Sequence, residues 1–285
     1  MKNIFLFEYI KKNLYYYIDT YLWKNNITKE NKIVRSYYID YYKIDYKIKN
    51  EEYFLFNNKI EGIYKKYNNN GQITDIYNYV NGKIDGEVKI YYDNGQLQTI
   101  YNLKNNKNEG EYKQYYENGQ LASISNYLDN KLEGSDRSYY ENGQLKSICN
   151  YKNNKNEGEY KDYYKNKQIK IICNYKNNKR EGEVKFYYDD GQLWEICNYV
   201  NGKIEGEYKS YYKNGQMQII YNYKNGKKEG EYKKYYDNGQ LMEICNYING
   251  EIEEKYKRYC KNVQLMNICN YNNGPIMQIC SYENE

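Results

Sequence analysis

Hydrophobic and polar positions follow two regimes along this chain. Near the start, Leu6, Ile10, Leu14, Ile18 and Leu22 stand four residues apart, with Tyr17 and Tyr21 beside them. That spacing predicts an amphipathic helix. The Tyr- and Ile-rich text from Ile33 to Ile48 reads as degenerate strands. From about residue 51, segments rich in Tyr, Ile and Leu alternate with short breaks rich in Asn and Gly, which predicts strands separated by turns.

The breaks are periodic. Gly-Gln recurs at Gly71, Gly95, Gly119, Gly143, Gly191, Gly215 and Gly239, with Lys167-Gln168 and Val263-Gln264 in the same register, and the step is 24 residues. A Glu-Gly or Asp-Gly pair keeps the same step from Gly62 to Gly230. Such phase establishes a tandem repeat of about nine units. Each unit carries two turn signals: Asn-Gly before Gln, as at Asn94-Gly95, and Asn-Gly or Asn-Asn before Lys, as at Asn81-Gly82 and Asn153-Asn154. A type I′ turn needs positive φ at both central residues, which Asn and Gly tolerate best. The expected fold is therefore all-β: tandem 24-residue hairpins forming an elongated antiparallel meander. With strands about 4.8 Å apart, equivalent residues of successive units lie roughly 10 Å apart, and the array would extend on the order of 90 Å. A parallel β-helix with one coil per unit is the alternative, and two hairpin turns per unit favour the meander. The Gly of Glu-Gly falls inside the second strand, which requires a bulge or a close approach beneath an aromatic ring.

Composition adjusts this picture. The chain has 45 Tyr against 5 Phe, 2 Trp, 1 Pro and no His. Tyr can cover a sheet while keeping its hydroxyl wet, so a thin body is expected rather than a thick aliphatic core. The net charge of +5 is largely neutralised within units, where Lys follows Glu as in EGEYK. Nucleic acid is therefore a disfavoured partner. Acidic lipid ranks behind protein. The apolar run in MKNIFLFEYIKK ends at Glu8, and no segment approaches the ~20 apolar residues of a membrane span. The expected location is intracellular, cytoplasmic or peripheral to a membrane.

The strings YYENGQL (Tyr115 to Leu121), YVNGKIEGEYKSYYKNGQM (Tyr199 to Met217) and YKNGKKEGEYKKYYDNGQL (Tyr223 to Leu241) resemble the MORN repeat, most closely its variant form in bacterial and viral proteins. The resemblance covers about residues 53–274. It implies an antiparallel hairpin array with roles in protein assembly or membrane-surface attachment. The antitoxin label of some bacterial members adds an inhibitor reading. Three regions are expected: a partly helical cap over residues 1–50, the array over 51–274, and a C-terminal cap or edge strand over 275–285. Toward that end the repeat decays, with Glu254 for the strand Gly, Cys260 for a Tyr and Val263 for the turn Gly. A β-branched residue disfavours a left-handed turn, so a different connection is expected at Val263. Pro275 would block an edge strand.

Candidate chemistry is sparse. Cys149, Cys173, Cys197, Cys245 and Cys269 share one repeat position with Tyr77, Tyr101, Ser125 and Tyr221. At roughly 10 Å spacing they exceed the Cα separation of about 7 Å that a disulfide allows. Without His or C-x-x-C, a zinc site lacks its ligands. These cysteines read as small apolar fillers; Cys260 and Cys280 lie outside the register. No cofactor is expected. Glu and Lys pairs such as Glu205 and Lys209 recur in most units, whereas a catalytic site would interrupt a repeat, so they read as cross-strand ion pairs. A non-enzymatic scaffold for protein–protein interaction is the expected function, with acidic-lipid attachment or inhibition of a partner protein as alternatives.

The Tyr-Tyr pairs form two ladders, because adjacent strand residues point to opposite faces. Tyr91, Tyr115, Tyr139, Tyr163, Tyr187, Tyr211 and Tyr235 form the first, the candidate binding ladder. Tyr92, Tyr116, Tyr140, Tyr164, Tyr188, Tyr212 and Tyr236 form the second. The alternative is that both ladders only stabilise the sheet.

Overall fold

A computed structural model describes residues 31–37, 49–56, 59–262, 264–271 and 276–281. The expected N-terminal helix, Val263 and Pro275 lie outside the described residues. The regular elements described are all β-strands, and consecutive long strands pair antiparallel, for example Gly158–Tyr163 with Ile169–Lys176 and Gly182–Tyr187 with Leu193–Val200. The hairpin meander is thereby found, and the parallel β-helix is not. Two compact units are distinguished, Met1–Leu121 with Tyr127–Asn130, and Ala122–Asn126 with Lys131–Glu285.

The repeat explains its own geometry. Asn201 and Gly202 both adopt positive φ, 52° and 81°, as do Asn153 and Asn154, at 50° and 64°. These are the expected type I′ turns, whose twist matches that of the flanking strands. The Asn-Gly before Gln is different. Gly191 alone is left-handed (φ 88°), its N–H donates to the Tyr188 carbonyl at 3.0 Å, and the Tyr188 N–H donates to Gln192 at 2.8 Å. This is a three-residue loop, a type I turn closed by a left-handed residue. Its preceding residue, Asp190 or Asn elsewhere, accepts the Gln N–H, here at 3.0 Å. Lys167 holds the left-handed position at φ 72° in one repeat.

The Gly of Glu-Gly sits at a bulge, with nothing packed beneath it. Tyr199 pairs with Ile204 and Ile196 with Lys209, so Cys197 and Asn198 face the four residues from Glu205 to Tyr208. Gly206 has φ +80°, and a Cβ there would meet nothing within 4 Å. Conformation, rather than space, therefore demands glycine. A bulge frees a carbonyl that must find a donor. Asn78 donates Nδ2 to the Asp85 carbonyl just before the bulge glycine at 2.6 Å, and Asn126 donates to the Ser135 carbonyl just after it at 3.2 Å. Asn78 and Asn126 occupy the repeat position two residues before the end of the long strand.

In the N-terminal unit, Asn31–Tyr37 pairs with Lys49–Phe56, which pairs with Lys59–Tyr67. Tyr rings then pack across strands on one face: Tyr64 on Tyr77 at 5.7 Å and Tyr101 on Tyr112 at 5.0 Å, with Val88 fully buried. In the C-terminal unit, one cluster centres on Cys173, Val184 and Cys197 and another on Tyr221, Tyr232 and Cys245. At the decayed end, Tyr259 pairs with Leu265 and the Cys260 N–H donates to Gln264 at 2.9 Å. The altered connection expected at Val263 lies outside the described residues. Ile276–Ser281 pairs with Leu265–Tyr271.

Candidate functional site

Strand alternation separates two surfaces. On one, Tyr160 lies opposite Cys173, Val184 opposite Cys197, and Tyr208 opposite Tyr221. Tyr175, Tyr199 and Tyr208 pack over the small residues, which is how a thin sheet leaves Cys173 and Val184 with 0% exposure. The thiols of Cys149, Cys173, Cys197 and Cys245 are free and buried, and desolvation raises each pKa, with Cys149 and Cys245 at about 11. That environment suits the filler role, because it suppresses the thiolate. No group of His, Cys, Asp and Glu among the described residues could hold a metal ion.

The opposite surface carries a row running across the strands. Lys161, Ile172, Lys185, Ile196, Lys209 and Ile220 are direct cross-strand neighbours in that order. Each lysine is held by the glutamate two residues earlier in its own strand. Lys161 meets Glu159 at 2.7 Å, Lys185 meets Glu183 at 2.5 Å and Lys209 meets Glu207 at 2.5 Å. The hydrogen bond to that carboxylate raises the ammonium pKa in each case, so the pair stays ionised and locally neutral. The expected cross-strand pairing of Glu205 with Lys209 is thus replaced by a same-strand pair. Residues two apart in a strand share a face, whereas Glu205 precedes the bulge. Glu205 instead accepts the Asn225 N–H at 2.7 Å.

The two tyrosine ladders have different tasks. Tyr164 donates its hydroxyl to the Tyr187 carbonyl at 2.8 Å, Tyr188 to Tyr211 at 2.8 Å, and Tyr212 to Tyr235 at 2.8 Å. Tyr92 does the same to Tyr115 at 2.7 Å. These tyrosines of the second ladder therefore fasten their hairpins to the next. The first ladder (Tyr91 and Tyr115 in the N-terminal unit; Tyr139, Tyr163, Tyr187, Tyr211 and Tyr235 in the C-terminal unit) is half-buried throughout. Two residues beyond the row's lysine, or beyond Arg137 in the case of Tyr139, it shares the Lys–Ile face by alternation. The isoleucine row was readable from its fixed repeat position, but its pairing against lysine depends on a register that hydropathy alone does not supply.

Further inter-repeat contacts gather at the type I′ turns. The bulge carboxylate of one repeat accepts the first N–H of the next turn: Glu157 from Asn177 at 2.9 Å, Glu181 from Asn201 at 2.7 Å and Glu229 from Asn249 at 2.9 Å. Where the second turn residue is Asn, its side chain also reaches back, as Asn154 Oδ1 does to the Leu132 N–H at 2.6 Å. Where it is Gly, the preceding repeat's lysine stem fills the space. A Cβ on Gly202 would lie 3.4 Å from the Lys179 Cβ, and Gly226 and Gly250 face Lys203 and Lys227 in the same way. The exchange of Gly for Asn thus trades a packed lysine stem for a hydrogen bond.

A model of the MORN repeat variant matches residues 60–81, 84–105, 108–129, 132–153, 156–177, 180–201, 204–225 and 228–249. No curated protein matches the chain. Among solved structures, the GtfA/B complex bound to UDP and GlcNAc is 14% identical, with a TM-score of 0.19 over 40% of this chain and 22% of that one. TcdB2-TccC3 is 14% identical, with a TM-score of 0.21 over 80% of this chain and 15% of that one. This chain therefore spans well under a third of either, and superpositions so weak carry no argument. No helix among the described residues is long and apolar enough to cross a membrane.

Proposed function

The chain belongs to the MORN repeat variant family, and from that premise we propose that it is a non-enzymatic scaffold that binds another protein through the Ile- and Tyr-bearing face of its sheet. MORN repeats are in general protein- or membrane-interaction modules. The observation that favours protein is the neutralisation of the lysine row on that face by Glu159, Glu183, Glu207 and Glu231 at 2.5–2.7 Å. Acidic lipid is attracted by net positive charge near its surface, and along this row each lysine is paired with a glutamate. What remains is isoleucine and tyrosine on a rigid frame. Tyr offers contact area at low entropic cost, and aromatic residues are enriched at interface centres.

The test is affinity purification of the tagged protein from its native cells, with mass spectrometry of what co-purifies. The expected result is one near-stoichiometric protein that is lost from a Tyr163→Ser, Tyr187→Ser, Tyr211→Ser variant whose melting transition stays cooperative. Salt-sensitive recovery with membranes, and no protein partner, would overturn the reading.

A further inference from the structure

The type I′ turn edge of the C-terminal unit carries a second set of lysines, and these form no ion pair among the described residues. Lys152 lies directly opposite Lys155, Lys176 opposite Lys179, and Lys224 opposite Lys227. Like charges directly opposite one another destabilise a sheet. All six side chains are exposed, as is Lys203 in the intervening repeat, and none forms an ion pair among the described residues. The bulge carboxylates Glu181, Glu205 and Glu229 accept the N–H groups of Asn201, Asn225 and Asn249 and form no ion pair with these lysines. The contrast with the face lysines is direct: Lys161, Lys185, Lys209 and Lys233 all have a glutamate within 2.7 Å.

Three of the edge lysines are also held in place. The stems of Lys179, Lys203 and Lys227 lie against Gly202, Gly226 and Gly250 of the following turns. Immobilising a long side chain ordinarily costs about 0.5–1.5 kcal/mol on binding, and packing the stem beforehand removes part of that cost. The result is a line of ammonium groups at the spacing of two strands, about 10 Å.

We propose that this edge is a docking line for an extended acidic polypeptide with a carboxylate at every third residue. Polyproline II chain has three residues per turn and rises about 3.1 Å per residue, so every third side chain returns to the same side after ~9.3 Å. That period matches the lysine line. A β-strand does not match, because its side chains alternate and its third residue points away. A lipid bilayer fits less well, because sheet twist of about 20–25° per strand turns the edge by roughly 40–50° per repeat. A plane then meets only a few successive lysines, whereas a flexible chain can follow the turning edge. By alternation these lysines share a side with the Ile row, Ile172 and Lys176 being four apart in one strand. They lie at its turn end, whereas Tyr163 pairs at the opposite end of that strand with Ile169, and the proposal stands without the Ile–Tyr reading.

The test uses the full chain and a fluorescent peptide of repeated Glu-Pro-Ser triplets, titrated by anisotropy at low and physiological salt. A peptide of the same composition with its glutamates irregularly spaced is the comparison. The triplet peptide is expected to bind about tenfold more tightly, a difference of ~1.4 kcal/mol, and binding should weaken with added salt. The Lys179→Gln, Lys203→Gln, Lys227→Gln variant should lose that preference while its melting temperature holds or rises, since like-charge repulsion is relieved. The Lys161→Gln, Lys185→Gln, Lys209→Gln variant should keep it. Equal binding of the two peptides, or an undiminished preference in the edge variant, would overturn the proposal. So would edge-dependent binding to phosphatidylserine vesicles or to single-stranded DNA without binding to the triplet peptide.

Discussion

Two neighbouring clusters in the C-terminal unit solve the same packing problem with opposite materials. The first has a floor of Cys173, Val184 and Cys197, roofed by Tyr175 and Tyr199. The second has Tyr221 and Tyr232 in the floor itself, with Cys245 as its one small residue. Each receives a cation from the same repeat position. The Arg180 guanidinium lies 5.7 Å from the Phe186 ring and 5.5 Å from Tyr199. The Lys228 ammonium lies 4.7, 5.0 and 4.9 Å from Tyr221, Tyr232 and Tyr247. A one-layer sheet has no second sheet to fill, so it needs coverage rather than a fixed volume. Tyr223 and Tyr247 roof the second cluster as Tyr175 and Tyr199 roof the first, so a larger floor is accommodated only where its neighbours make room for it.

Single changes should expose that condition. The largest effect is expected from Tyr221→Ala, which removes a ring touching Tyr208, Tyr223 and Tyr232. A loss of about 3–5 kcal/mol in urea unfolding follows from the usual cost of aromatic truncation. Cys197→Tyr installs the second cluster's solution in the first, beneath a roof that is already full. It should cost about 1–3 kcal/mol through overpacking, and a neutral outcome would mean that the floor positions are interchangeable one at a time. Gly182→Ala meets no steric obstacle but holds φ at +80°, so its expected cost is about 1–2 kcal/mol from left-handed backbone alone. The equivalent Gly230→Ala should cost the same, since the bulge is common to both clusters.

Alkaline pH tests the clusters without mutation. Burial raises the Tyr160 phenol to about 12 and pushes Tyr208, Tyr221 and Tyr232 higher still, against 10.0 for a free phenol. The folded form keeps protons that the unfolded chain releases, so this stabilisation is complete below pH 10.0 and declines as pH rises above it. Phenolate absorbance should therefore appear for these rings only with loss of the β-sheet circular dichroism signal. The smallest effect is chemical. At neutral pH, Cys260, which is partly exposed, should react with a thiol reagent well before Cys149, Cys173, Cys197 and Cys245. Equal rates would place the first cluster in fast local opening.

Much of this was legible in the residues. The Asn-Gly and Asn-Asn signals located the I′ turns because few residues accept positive φ in succession, and Cys173 and Cys197 read correctly as fillers. Two Asn-Gly signals such as Asn201-Gly202 and Asn214-Gly215 look alike yet make different turns, because Asn214 takes an ordinary conformation once Gln216 closes the loop. The partner of Lys209 was misread because a bulge between Glu205 and Lys209 changes which side chains share a face. The ladder from Tyr91 to Tyr235 could be enumerated from spacing. That its neighbour from Tyr92 to Tyr236 is spent on fastening hairpins depends on where hydroxyls reach in three dimensions.

The carboxylates at the bulges carry a direction. Glu61 serves Asn81, Glu181 serves Asn201 and Glu229 serves Asn249, always a turn 20 residues further along. On the ribosome the acceptor is thus made before the donor that needs it. Each emerging turn meets a finished surface, and the growing end is the only place where the work is incomplete. Such a chain can be assembled vectorially as it leaves the exit tunnel, one hairpin templating the next. Unequal recombination that adds or deletes whole units would leave that polarity intact, so the length of the array can drift without the fold being reinvented.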